Sequence, residues 1–198
     1  MANSSQKYTN PSIKGLVLIG GKSSRMGSDK SELNYHGSSQ KECAKKLLED
    51  QGLKTFFSVA GSKGSPDEIL DIVPNLGPFG GIYSAFQHDP NAAWFVLATD
   101  LPFVNKELIQ LLLGKRNSEK MATVIQGKNK EYPEPLIAIY EAKIYPVLQK
   151  YLKEGNLSLI KILRDIDLEI VKANDQLIRN INTKEEYETV RKLLIEGD

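Results

Sequence analysis

Leu16-Val17-Leu18-Ile19-Gly20-Gly21-Lys22-Ser23-Ser24-Arg25-Met26-Gly27-Ser28-Asp29-Lys30 is the stretch from which the rest of this chain can be read. Its first four residues form a short apolar run that predicts a buried strand. The strand ends in paired glycines, where the backbone can turn freely and approach a ligand closely. Successive exposed amides in such a loop make a concavity that attracts anions. Arg25 and Lys30 bring positive charge to the same place. Amides for phosphate oxygens and cations for their charge are what a triphosphate requires.

Two common phosphate-binding motifs do not account for the loop. A P-loop needs a glycine five residues before Gly-Lys-Ser/Thr, and Gly21-Lys22-Ser23 would place that glycine at Leu16, inside the strand. The dinucleotide fingerprint G-x-G-x-x-G does not occur. The bland alternative is a Gly/Ser-rich surface turn with solvated charges. Gly-Gly-Lys-Ser-Ser alone fits that alternative, whereas the attached Arg-Met-Gly-x-Asp-Lys favours phosphate binding.

The chain has 198 residues, enough for one sizeable core, and ordinary apolar and charged fractions of 40% and 26%. A net charge of +1 gives no whole-chain reason to expect nucleic acid or a membrane surface. Cys43 is the only cysteine, which excludes an internal disulfide and a cysteine-cluster metal site. His36 and His88 are too few for a histidine-rich metal centre. With no membrane-length apolar run and no signal-like N-terminus, the chain is expected to be soluble and cytoplasmic.

Residues 1–12 read as a flexible polar tail and 13–198 as one domain. Beyond the glycine-rich loop, periodicity predicts a helix over 40–51 and strands over 53–60 and 69–73. A turn-rich bridge through Gly77-Pro78-Phe79-Gly80-Gly81 leads to a helix over 82–88. Residues 93–98 (Ala-Trp-Phe-Val-Leu-Ala) form the most continuously apolar strand, expected at the sheet centre. Asn105 caps a helix reaching 113, and strands are predicted over 121–126 and 136–140. Helices over 143–153 and 158–164, a strand over 168–172 and a last helix opened by the Thr183-x-x-Glu186 capping box complete the chain. Strands alternating with helices predict a three-layer α/β/α sandwich on a mostly parallel sheet. Ligands in such sheets sit beyond the strand carboxyl ends. Gly20 and Thr99-Asp100 fall there, as does the turn at Pro74.

Asp100, followed by Leu101-Pro102, could cap the next helix. The proline instead keeps the chain extended and leaves the carboxylate aimed into the crevice, where Mg²⁺ would take it together with substrate phosphates.

The pattern Leu-x-Gly-Gly-x-Ser-x-Arg-Met-Gly-x-Asp-Lys with Asp-x-Pro resembles the signature of the MobA-like nucleotidyltransferases, whose type member is molybdenum cofactor guanylyltransferase. The resemblance runs from Leu16 to Val190 and implies a Rossmann-like nucleotidyltransferase fold. Three departures stand out: Ile19 replaces the usual alanine, Ser58 an asparagine common in guanine-using members, and Phe79 the leucine of Gly-Pro-Leu-x-Gly. Carried over residue by residue, the resemblance implies that Leu18, Ile19, Gly20, Gly21, Ser58, Asp71 and Gly77 line the nucleotide. It makes Arg25, Lys30 and Asp100 both nucleotide-binding and catalytic, with Asp100 the Mg²⁺ ligand. Asn180 and Asn182, from Asn180-Ile181-Asn182-Thr183, are placed on the acceptor side. Tyr132, before Pro133-Glu134-Pro135, is a candidate to stack on a pterin, against the alternative of a surface anchor.

The implied activity is Mg²⁺-dependent transfer of GMP from GTP to the phosphate of molybdopterin, releasing pyrophosphate. Cofactor-delivery proteins and apo-molybdoenzymes are implied as transient partners, and neither nucleic acid nor membrane is. Three alternatives stay open: the same chemistry with CTP or with a sugar or alcohol phosphate acceptor, a catalytically silent nucleotide-sensing or partner-binding protein, and a chain that acts only with a cofactor-delivery partner or target apoenzyme.

Overall fold

Residues 12–19, 39–61, 64–73, 76–181, 183, 185–186 and 188–190 are described by a computed structural model of the chain. Its element order is β1 (Ile13–Leu18), α1 (Gln40–Glu49), β2 (Lys54–Val59), β3 (Glu68–Leu70), α2 (Pro78–His88), β4 (Ala93–Ala98) and α3 (Lys106–Gly114). Then come β5 (Ala122–Gly127), β6 (Glu134–Tyr140), α4 (Tyr145–Lys153), α5 (Leu159–Asp165) and β7 (Leu168–Ala173). Single 3-10 turns at Ala142–Ile144 and Asp175–Ile178 precede α4 and follow β7.

The strands form one seven-stranded sheet in the order β3-β2-β1-β4-β6-β5-β7. All neighbouring pairs are parallel except those that β6 makes with β4 and β5. Side chains alternate between its faces with a period of two. Leu16, Leu18, Trp94, Val96 and Ala98 pack toward α2, α4 and α5. Val17, Phe95 and Leu97 pack toward Ala44 and Leu48 of α1 and Leu108 and Leu112 of α3. The result is the expected three-layer α/β/α arrangement, and every residue of β4 is buried.

Local chemistry sets the helix starts. Asn105 Oδ1 accepts from Leu108 N at 3.0 Å, a cap worth about 1 kcal/mol. The expected capping box is present, with Thr183 N donating to Glu186 Oε2 and Glu186 N to Thr183 Oγ1, both at 3.1 Å. Among the boundaries that differ from the sequence reading, two lie next to the start of α2. The third strand stops at Leu70, so Asp71 lies just past its end. The bridge through Gly77 is largely helix already: α2 begins at Pro78, with proline in its first turn and Gly77 as N-cap at φ +58°. That φ is one an L side chain rarely adopts, so Gly77 is required by the turn and not by crowding.

Candidate active site

Because β1, β2, β3 and β4 run parallel, their carboxyl ends share one edge of the sheet. The chain leaves β4 through Thr99, whose N–H and hydroxyl both donate to Leu18 O, at 3.4 and 3.3 Å. The ends of β1 and β4 are thereby held together, and Asp100 follows directly. Ile181 N donates to Asp100 O at 2.9 Å, and Asn180 Nδ2 donates to Asp100 Oδ2 at 3.4 Å. The segment after β7 thus returns across the sheet to reach the same carboxylate.

On the other side of β1, Ser58 at the end of β2 donates from its hydroxyl to Asp71 Oδ1 at 2.7 Å. Asp71 N is held by Val59 O at 2.8 Å, and Ile72 N by the buried Ser84 hydroxyl of α2 at 2.9 Å. Burial pushes the Asp71 carboxyl above its ordinary value, and the Ser58 hydrogen bond pulls it back in part. Ser58 itself is only 5% exposed. It lies beneath Gly81 of α2, where an added Cβ would collide with Ser58 Oγ and come within 2.8 Å of Leu18 Cδ2. The side chain expected to meet a base is therefore engaged with Asp71. Leu18 is buried toward the α2 layer, while Ile19 is partly buried on the opposite face, against the core that includes Ala44.

Among the predicted residues the structure brings together Leu18, Asp100 and Asn180 at one point of this edge, and Ser58, Asp71 and Gly77 around the start of α2. Gly20, Gly21, Arg25, Lys30 and Asn182 lie outside the described residues.

One acidic residue escaped the sequence reading. In the antiparallel β4–β6 ladder Leu97 stands opposite Ile137, so the start of β6 faces the end of β4 and the Asp100 charge acts on the Glu134 carboxyl. Glu134 Oε1 accepts from Leu136 N at 3.2 Å. Its carboxyl is raised to about 7, first by burial and further by the Asp100 charge, against smaller opposing effects of Leu136 N–H and Lys130. A signal was available in sequence only as an acid flanked by two prolines. Its exposure to the Asp100 charge depends on β6 being antiparallel to β4, which no local pattern reveals.

Asn180 and Glu134 open onto a cleft of about 810 Å³ whose walls include Lys130, Tyr132, Ile160 and Arg179. The Arg164 guanidinium stands 5.5 Å from the centre of the Tyr132 ring. Ile160 and Tyr132 are exposed, giving the cleft an apolar wall beside its cations. The loop between β5 and β6 is fixed from two sides. Gln126 Nε2 donates to Lys130 O and Glu131 O at 2.8 and 2.9 Å, and Asn129 Nδ2 donates to Asp175 Oδ2 at 2.6 Å. Lys172 Nζ in turn donates to Gln126 Oε1 at 2.9 Å.

Among the described residues no three His, Cys, Asp or Glu side chains converge as a metal cage. Magnesium does not require one, since it usually takes one or two carboxylates together with substrate phosphates. Asp100 is a hard-oxygen donor of that kind, so it fits the ion. No helix among the described residues is long and apolar enough to cross a membrane.

Comparison with known proteins accords with this fold. The family model for the MobA-like NTP transferase domain matches residues 15–170. A molybdenum cofactor biosynthesis bifunctional protein of Synechocystis is 33% identical over 185 residues; the match covers 88% of this chain and 52% of that protein, about half its length. A probable molybdenum cofactor guanylyltransferase of Flavobacterium johnsoniae is 30% identical, covering 86% of this chain and 92% of the relative. Among solved structures, molybdopterin-guanine dinucleotide biosynthesis protein A from Archaeoglobus fulgidus superposes with a TM-score of 0.74 at 23% identity. That match covers 92% of this chain and 99% of the other, and it shows the shared fold.

Proposed function

Since this chain belongs to the MobA-like NTP transferase family and is a nucleotidyltransferase, we propose that it transfers GMP from GTP to the terminal phosphate of molybdopterin, releasing pyrophosphate. The observation that carries this reading is the convergence of Leu18, Asp100 and Asn180 at one point of the strand carboxyl edge, with a cleft opening from Asn180.

In this reading the donor lies along the edge from the β1 terminus toward Asp71. The amides of Gly20 and Gly21 receive phosphate oxygens, and Arg25 and Lys30 offset the triphosphate charge. Asp71 accepts from the nucleoside. Asp100 would hold Mg²⁺, with Asn180 adjoining it. Magnesium, when bound, neutralises charge on the phosphate oxygens and aligns them.

The acceptor enters the cleft beyond Asn180. Tyr132 and Ile160 offer a flat ring an apolar surface, and Lys130 and Arg179 offer cations to an anionic substrate. An acceptor phosphate oxygen attacks the α-phosphorus of GTP. The bond from the α-phosphorus to the α–β bridging oxygen breaks, and pyrophosphate departs. A phosphate monoester has its second pKa near about 6, so its dianion is already a nucleophile at neutral pH. The side chains therefore need to align and neutralise, not to abstract a proton. The corresponding biological setting is the cytoplasm, with cofactor-delivery proteins or apo-molybdoenzymes receiving the product.

Pyrophosphate release measured with GTP, CTP, ATP and UTP, each with molybdopterin or a sugar phosphate, tests the reading. Release confined to GTP plus molybdopterin supports it. Release with CTP or a sugar phosphate moves the chain to another member activity of the fold, and nucleotide binding without release from any pair leaves a binding protein.

A further inference from the structure

Asp71 and the residue after it are held at three points, two of them by buried serine hydroxyls. The Asp71 N–H is fixed by Val59 O, and the next residue by the Ser84 hydroxyl. Its carboxylate is fixed by Ser58, whose Oγ donates to Oδ1 at 2.7 Å. Ser58 is 5% exposed and covered by Gly81 and Leu18. Its hydroxyl proton is committed to Asp71. Asp71 Oδ2 lies near the first turn of α2, where a Cβ on Gly80 would stand 3.9 Å from it.

We infer that Ser58 is a positioning residue for the donor site: it locks Oδ1 of Asp71 so that Oδ2 faces the nucleoside, and Gly81 is side-chain-free to leave the hydroxyl room to do so. The inference rests on the donor reading above and deepens it. A lone carboxylate on a short strand end would rotate about its χ angles, and every alternative rotamer would have to be surrendered on binding. A hydroxyl that donates to one oxygen removes that freedom beforehand. It also stabilises the ionised acid, the form that accepts N–H or O–H donors from a nucleoside on its second oxygen.

The test is calorimetric titration of wild type, S58A, D71N and the S58A/D71N double variant with Mg²⁺–GTP, beside their melting temperatures and steady-state constants. S58A should bind roughly tenfold more weakly, a loss typical of one hydrogen bond to a charged group. The change should appear in the donor KM, with kcat within about twofold, because the chemistry itself is untouched. The double variant should bind no more weakly than D71N, since Ser58 acts only through Asp71. Donor affinity of S58A equal to wild type, or losses that add in the double variant, would overturn the inference alone. A wild type that binds no nucleoside triphosphate would overturn both it and the donor reading.

Discussion

Asn180 Nδ2 donates to Asp100 Oδ2 at 3.4 Å, and the peptide N–H of Ile181 donates to the Asp100 carbonyl at 2.9 Å. The end of the central strand and a segment from near the chain terminus are thus joined at the one carboxylate proposed to hold magnesium. Asp100→Ala should lower Mg²⁺-dependent turnover by about 10²-fold or more while leaving the melting transition cooperative. Asn180→Ala should cost about 10- to 100-fold, as loss of a group that orients a metal ligand does. Steady-state pyrophosphate release across a magnesium titration measures both, and full activity in Asp100→Ala would remove the residue from the site.

Glu134 gives the fold a dependence on pH. Its carboxyl is raised to about 7 from an ordinary 4.5. Between these values the folded chain holds a proton that the unfolded chain has released. The group's contribution to stability is therefore complete below the unfolded value and is lost as pH rises through the folded one. Glu134→Gln keeps the shape of the neutral acid and cannot ionise. Relative to wild type it should gain melting temperature progressively from pH 5 to pH 8, and parallel curves across that range would show that burial does not act on this residue as described.

Gly81 is required by a close approach. In Gly81→Ala the new methyl meets Ser58 Oγ and Leu18 Cδ2, and overpacking of this kind costs about 1–3 kcal/mol. The better helix propensity of alanine offsets up to about 1 kcal/mol of it. Denaturant unfolding should show a net loss, and a gain in stability would mean that the first turn of α2 yields freely.

At the opposite end of the sheet, Glu141 follows β6 and is 1% exposed. Arg116 meets it with two parallel hydrogen bonds, Nε to Oε1 at 2.7 Å and Nη2 to Oε2 at 2.8 Å. Glu141→Ala leaves the guanidinium without its buried counter-charge, a change worth about 3–5 kcal/mol. Equilibrium unfolding should register that loss, while activity per folded molecule stays near wild type.

The parts legible in sequence are those whose signal is local. β1 and β4 are continuous apolar runs, Asn105 and Thr183 are caps with their partners close by, and alternation of strands with helices gave the layers. The start of α2 was masked by composition, because Gly77-Pro78-Phe79-Gly80-Gly81 reads as a turn. Proline in the first turn after a glycine N-cap is compatible with a helix, and Gly81 pays for its poor propensity by admitting the Ser58 hydroxyl beneath it. The action of the Asp100 charge on Glu134 was not legible, since it depends on the one antiparallel strand of the sheet. Nor was the hydrogen bond from Ser58 to Asp71, which joins the end of β2 to the residue just past β3. The clasp of Asn129 by Asp175 joins a loop to a 3-10 turn that no periodicity announces.

A crystal structure of the chain with Mg²⁺ and GTP tests the central claim most directly. The nucleotide should lie along the carboxyl ends of β1, β2 and β4, with its nucleoside toward Asp71 and its α-phosphate beside Asp100, facing the cleft at Asn180. A nucleotide bound elsewhere, with Asp71 and Asp100 both out of contact, would contradict it.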